Sequence, residues 1–471
     1  MAKTTLGTAG KGPVSNLYLY FVAVTAAVGG FLFGYDLSII TGAMLYLEKY
    51  FAGANLGLLT SSAVFGCILG SFASVWAADK FGRRNSLYVA AGLFLVSAIW
   101  CSLVTSAIEF DVARAIGGIG VGLATGISPM YIAEISPARM RGRMVVVNQL
   151  SIVVGIVMSI VVALLLSYGG HWRWMFASAA VPSLALAIGL LFVPRSPRWL
   201  ASKGLDKEAL AVLARINGAA RADEELAEIK AELGQETGSF RDLGQPGIRY
   251  ALLVACILMI FQQVNGVNMI LIYASKILVE AGIGSVSNAL LNSLYVYFLI
   301  FFCTIVSFWL VAKSPRRLIL MAGTTGMALG HLIMAYSFFT NSSTWIVLLA
   351  MLVAAGSFTL SLAPVGWVVV SEIFPNRVRG KCMGIVTFCL FTSSFVVTWA
   401  FPNVTDYFQQ SFGNRGGAYL LFAGICMACV AFVWRFIPET KDLTLEEISG
   451  FWLGQTKRAP VVEAVRPEVI R

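Results

Sequence analysis

Charge is what this chain has least of. Asp, Glu, Lys and Arg together make up 12% of its 471 residues, where a soluble domain carries about 25%. So few ionised groups cannot cover a water-facing globule, which excludes an ordinary soluble fold. Histidine is scarcer still: His171 and His331 are the whole supply. They are too few and too far apart for a metal centre, and no metal or other cofactor is expected. The eight cysteines lie nearly all inside or beside apolar runs. Cys426 and Cys429 have CxxC spacing, but within such a run they read as core. No His-, Cys- or Ser-based catalytic grouping and no phosphate-binding loop can be assembled, so no enzyme is expected. Gly117-Gly-Ile-Gly-Val-Gly122 is rich in glycine, yet it sits in an apolar run, where small residues let helices approach closely.

What the chain has instead is apolar length. Hydrophobic residues are 58% of the total and mean hydropathy is +0.80. They gather into runs of about 20 residues, enough for a helix to cross the hydrocarbon core of a bilayer. The runs are 18–40, 56–78, 85–105, 110–133, 145–167, 174–193, 249–279, 287–311, 317–338, 344–370, 383–402 and 417–437. The first is long, continuous and holds Asp36, so it reads as a span and not as a cleaved leader. The net charge of +10 does not point to nucleic acid, because the cations are clustered in short loops. One set holds Lys80, Arg83 and Arg84, then Arg139, Arg141 and Arg143, then Arg195 and Arg198, then Lys313, Arg316 and Arg317, then Arg377, Arg379 and Lys381. The alternate loops carry little: Lys49, Arg173, Lys276 and Arg415. The basic side is expected to be cytoplasmic, with both termini there, in an inner or plasma membrane.

The single long polar stretch, 201–247, carries Leu205, Leu210, Leu213, Ile216, Leu226, Ile229 and Leu233 at helical spacing, the pattern of short amphipathic helices. It falls between two related halves. Arg83-Arg84 recurs as Arg316-Arg317, Glu134 before Arg141 and Arg143 recurs as Glu372 before Arg379 and Lys381, and Pro194 recurs as Pro438, at offsets of about 233, 238 and 244 residues. Parallel repeats of this kind mark transporters. The expected organisation is a first six-helix half at 1–200, linker helices at 201–247, a second six-helix half at 248–440 and a tail at 441–471.

Taken together, these landmarks resemble the sugar porter family of the major facilitator superfamily. The resemblance rests on Gly34-Tyr-Asp36, Asp79-Lys-Phe-Gly-Arg-Arg84, Arg114 with Gly117, Gly118 and Gly120, and Arg195-Ser-Pro-Arg-Trp-Leu200. In the second half it rests on Gln262-Gln263 with Gly266 and Asn268, Pro364 with Trp367 and Glu372, and Pro438-Glu-Thr-Lys441. It spans nearly the whole chain and is nearest to bacterial proton-coupled sugar symporters. It implies an all-α fold of twelve membrane helices in two halves, acting as a monomer. Its substrate would be a sugar or polyol, carried with a proton by alternating access.

Candidate site residues follow from both sources. Asp36 in the first span and Arg114 in the fourth are ionised groups at membrane depth, each costing about 2.5–3.5 kcal/mol on insertion scales. A pair is the economical arrangement. Burial raises a carboxyl pKa and a neighbouring cation lowers it, so a changing distance would switch proton affinity. The competing reading is a fixed structural ion pair. Gln149, Gln262, Gln263 and Asn268 are amides, which both donate and accept, as a hydroxyl-rich ligand requires; the family binds sugar through residues so placed. Trp367, beside Pro364 and Gly366, takes from the resemblance the role of stacking on a sugar face. Glu134 with Arg84 and Arg143, and Glu372 with Arg317 and Arg379, are expected as two ion-pair networks that lock the cytoplasmic gate. The family pattern is broken at Arg195, where Glu is usual. It is broken again at Ile272, Ile300 and Leu390, where pentose symporters offer polar groups, so the ligand identity stays open.

Overall fold

A computed structural model describes residues 16–137, 140–233 and 240–441. Arg139, the linker stretch 234–239 and the tail 442–471 lie outside them, as do the side chains of Arg141 and Arg377. Among the described residues the secondary structure is helical, without strands. Twelve helical segments are long and apolar enough to cross a membrane: Tyr18–Tyr50, Leu56–Phe81, Arg83–Leu103, Ala107–Ile135, Gly142–Ser167, Trp172–Leu191, Pro246–Ile272, Val286–Lys313, Arg316–Phe339, Thr344–Glu372, Val378–Phe412 and Gly416–Phe436. These are spans one to twelve below, and each coincides with one of the apolar runs. Large side chains such as Leu103, Ile108, Val181 and Trp345 lie on the outside of the bundle, as expected where the solvent is lipid. The chain is a multi-pass membrane protein.

Five spans differ from the single apolar runs that signalled them, two of them by one break each: the sixth is Trp172–Ala177 and Ala180–Leu191, and the tenth is Thr344–Leu360 and Leu362–Glu372. The first and eleventh helices continue about ten residues further, to Tyr50 and Phe412. Apolarity ends where the bilayer ends, but a helix does not. Leu47 stays buried while Glu48 and Lys49 turn outward on the same turn. The seventh run is not one helix but three, Pro246–Val264, Val267–Ile272 and Ala274–Glu280. The first break is at Gly266, whose φ of +85° is left-handed, a conformation that glycine alone adopts freely.

Close packing sets the geometry of the first half. A methyl group built on Gly118 of the fourth span would overlap the carbonyl oxygen of Ala63 in the second, and one on Gly66 would overlap the carbonyl of Ala115. The first and fifth spans interlock in the same way, Gly34 against the Ile152 carbonyl and Gly155 against that of Phe31. Bare backbones therefore touch along both pairs. The linker forms the short helices expected of it, Asp206–Asn217 and Ala219–Leu233, and the helix before them, Pro197–Ser202, runs across the expected boundary at residue 200. Leu200, Ala209, Leu213 and Ile216 are buried, and Lys230–Asp206 and Arg198–Glu232 ion pairs cover the outer side.

The two halves are bonded to each other at the face opposite the basic loops. There the hydroxyls of Thr60 and Tyr273 are 2.6 Å apart. Ser275 donates to the Thr41 carbonyl at 2.6 Å, Ser167 to Ser287 at 2.8 Å, and Lys276 pairs with Glu48 at 2.7 Å. Along the flank the second and eleventh spans pack through Phe65 on Phe395 and Phe72 on Phe388. At the basic face, the bonds described for Glu134 and Glu372 each come from within their own half. Among the described residues, the polar bonds that join the halves therefore gather at the face opposite the basic loops.

Candidate transport site and gates

Asp36 and Arg114 meet. The Arg114 Nη1 lies 2.7 Å from Asp36 Oδ1, and its Nη2 donates to the Asp36 backbone carbonyl at 2.9 Å. Both are deeply buried, at 5% and 1% exposure, and the Phe176 ring faces the guanidinium at 5.5 Å. The pair is not fully satisfied. Asp36 Oδ2 and Arg114 Nε are buried without a partner. The free carboxylate oxygen lies beside Gly117, against which the Ser97 side chain packs. A carboxylate holding one strong charge-assisted bond and one vacant oxygen has a place to receive a proton without first breaking the pair.

The amides divide their duties. Gln263 Oε1 accepts from Asn268 Nδ2 at 2.7 Å, so one side chain before the break at Gly266 and one after it are joined. Gln262 points elsewhere, as adjacent residues on a helix must. Its Nε2 donates to the carbonyls of Leu362 and Ala363 at 3.0 and 3.2 Å. Those carbonyls lie just past the interruption of the tenth span at Ser361 (φ −127°, ψ −90°). The expected ligand contact of Gln262 is thus qualified: its donor holds the tenth span, and its oxygen alone remains uncommitted. Gln149 is exposed, whereas Asn148 beside it is buried. Trp367 is half-buried, one turn beyond Pro364. Ile300 and Leu390 are buried among apolar neighbours and Ile272 is half-buried, so nothing polar replaces the groups missing from the second half at these positions. Sequence reasoning missed Asn265, which binds both sides of the break: Nδ2 donates to the Gln262 carbonyl at 2.6 Å, and Oδ1 accepts from the Val267 amide at 2.8 Å. The Asn-Gly dipeptide, a turn signal, was the available clue.

At the basic face the expected glutamates are the hubs, but the arginines differ. Glu134 is held by Arg83 at 2.8 Å, not by Arg84. Arg84 donates to the Val193 carbonyl, and Arg143 is exposed and has no ion pair among the described residues. In the repeat, Glu372 faces Arg316 at 3.6 Å, while Arg317 donates to the Trp434 carbonyl and Arg379 to that of Phe374. The reason is rotational. Neighbours on a helix point about 100° apart, and the repeat preserves which of the two turns inward. A hydroxyl completes each hub, Ser196 on Glu134 and Thr440 on Glu372, both at 2.5 Å. The break in the motif at Arg195 has a counterpart here. In the second half Glu439 accepts from the backbone amides of Arg316 and Arg317, capping the ninth span. In the first half Arg195 reaches outward to Glu208 at 4.0 Å, and the third span begins at Gly82 with no side-chain cap. The Glu134 pair is tighter and less exposed than the Glu372 pair. Glu134→Gln is therefore expected to cost about 3 kcal/mol of stability in detergent, near the range for broken buried pairs. Glu372→Gln should cost about 1 kcal/mol; the reverse order in thermal unfolding would contradict this asymmetry.

At the opposite face Tyr273 joins the halves through Thr60 and also donates to the Thr398 carbonyl at 3.0 Å. Below it lies Glu280, paired with Arg415. Burial pushes the Glu280 carboxyl above its ordinary value, against the lowering by Arg415 and Lys276. The folded protein thus holds that proton more tightly than the unfolded chain does. That contribution to stability is complete in acid and is lost as pH rises past 4.5 and through the raised folded value. Glu280→Gln should flatten the fall in thermal stability over that window; an unchanged slope would assign it to other groups.

A twelve-helix bundle in two joined halves, with a buried ion pair and amides beside broken helices, has the architecture of a membrane transporter. Residues 22–452 match the Sugar (and other) transporter family, and the chain belongs to it. The resemblance to the sugar porters of the major facilitator superfamily, read from the motifs, is confirmed. Over 94% of its length the chain is 34% identical to the D-xylose-proton symporter of Escherichia coli, covering 98% of that protein. It is 33% identical to the arabinose-proton symporter of Bacillus subtilis, over 93% of this chain and 95% of that one. The inward-open conformation of the xylose transporter from E. coli matches with a TM-score of 0.82 and 32% identity, over 92% of this chain and all of the other.

Proposed function

We propose that this protein is a secondary active transporter that carries a sugar or polyol together with a proton by alternating access. The observation that carries the reading is the Asp36–Arg114 pair, buried, bonded at 2.7 Å and left with a vacant carboxylate oxygen. In this reading Asp36 takes up the proton and Arg114 holds its charge in the unprotonated state. Gln149, the Gln263–Asn268 couple, the oxygen of Gln262 and the face of Trp367 bind the substrate. The relatives, named for D-xylose and arabinose with a proton, support the substrate class. The basic face is cytoplasmic with both termini on it, by the excess of Lys and Arg there. The closure at the other face is then the outer gate, and this is an inward-facing state. The Glu134 and Glu372 hubs would meet across the halves when the carrier turns outward.

The test is a panel of D-xylose, L-arabinose, D-glucose and myo-inositol in proteoliposomes, with and without an inward proton gradient. One of them should accumulate only with the gradient, and its addition should drive proton entry. Equilibration without accumulation would make the protein a passive facilitator. Failure of all four would remove the sugar and polyol class.

A further inference from the structure

The ninth span carries a histidine that neither the ion pair nor the amide cluster uses. His331 is completely buried. Its Nε2 lies 2.7 Å from the carbonyl oxygen of Asn265. A carbonyl only accepts, so Nε2 carries the proton and donates. Nδ1 has no partner, which fits a neutral ring, since an imidazolium would bury a charge with one N–H unpaired. The acceptor sits where the seventh span breaks, and the last carbonyls of a helix have no partner within it. Cys426 of the twelfth span points its Sγ at the same oxygen, at 3.5 Å. The Phe422 ring covers Gly266 where a side chain would stand and lies against the imidazole with centroids 5.5 Å apart. Two turns along the ninth span, Gly323 is bare against Ser361, the residue at which the tenth span breaks. Gln262 then bonds the two broken helices to each other. One supporting helix thus touches both interruptions.

We propose that His331 is a positioning residue: from the ninth span it fixes the break in the seventh, and so sets Gln263 and Asn268 in register across it. The break decides whether a residue before Gly266 and one after it turn to the same side, and their 2.7 Å bond requires that they do. The link from this brace to substrate affinity rests on the binding roles proposed above; the brace itself does not.

Hydrogen–deuterium exchange on the full-length apo protein in nanodiscs tests the brace without a ligand. In His331→Leu, amides of segment 262–272 are expected to exchange about tenfold faster, the scale set by one lost buried hydrogen bond. The remainder of the ninth span should be unchanged. His331→Gln, which can place an N–H near the same point, is expected to return exchange to within about threefold of the parent. Uniform acceleration across the bundle, no acceleration at 262–272, or a Gln variant as fast as Leu would each overturn the proposal. D-xylose uptake by folded, monodisperse protein then tests the reach of the brace. The half-saturating concentration should rise about tenfold in His331→Leu with the maximal rate little changed, and should recover in His331→Gln. Fast local exchange with an unaltered half-saturating concentration would overturn the positioning role. Absence of D-xylose uptake in the parent protein would count against the substrate reading, while the exchange data still decide the brace.

Discussion

Vesicles containing the Asp36→Asn protein are expected to equilibrate substrate and stop there. One pH unit across the membrane is worth about 1.36 kcal/mol per proton, which at one proton per substrate supports about a tenfold concentration ratio. The parent protein should approach that ratio for each unit of gradient, and the variant should stay near a ratio of 1. Counterflow of labelled against unlabelled substrate should persist, because the amides and Trp367 are untouched. The geometry sharpens the expectation. Asn retains an oxygen for the 2.7 Å bond from Arg114, and the second bond goes to the backbone of residue 36, which any side chain leaves in place. What disappears is the titratable oxygen, together with the charge opposite a guanidinium at 1% exposure. Leaving that cation unpaired costs up to about 3–5 kcal/mol, so folded yield must be measured alongside transport. Accumulation by the variant equal to that of the parent would remove Asp36 from the coupling mechanism.

Much of this was legible in the chain because the bilayer is a demanding solvent. It requires about 20 apolar residues per crossing and internal pairing of every buried charge. The runs therefore marked the twelve spans, and Asp36 found Arg114 78 residues away. What stayed hidden was helix rotation. Arg83 and Arg84 are equivalent as letters, yet only one faces Glu134. Gln262 and Gln263 are likewise adjacent, and one holds the tenth span while the other holds Asn268. A periodicity argument fixes the face of a helix only when that helix is amphipathic. In lipid, apolar residues lie on both the core and the outer faces, and the contrast that would set the phase is weak. His331 shows the same limit. A lone histidine in an apolar run must find a partner, but the carbonyl it found is released by a break 66 residues away. The break itself was written locally, in Asn265-Gly266.

A larger structural effect is expected from a single methyl group. Gly118→Ala should abolish recovery of folded protein or lower its stability by about 3 kcal/mol or more, at or beyond the upper end for overpacked sites. The added carbon would overlap the carbonyl oxygen of Ala63 and crowd the backbone of Gly66. Backbone cannot swing aside as a side chain can, so the second and fourth spans must separate. Arg114 stands one turn before Gly118 on the same helix, and a shift of that helix moves the guanidinium away from Asp36. Partial folding should therefore appear first as lost coupling, with accumulation reduced more than counterflow. Gly92→Ala is the control: its surface is open, with no atom near an added carbon, and Ala is the better helix former by about 1 kcal/mol. It should fold and transport as the parent does. Equal behaviour of the two variants would mean that the close approach of the second and fourth spans does not hold the ion pair. The Gly-rich segment 117–122 would then lose the packing role that its bare surfaces imply.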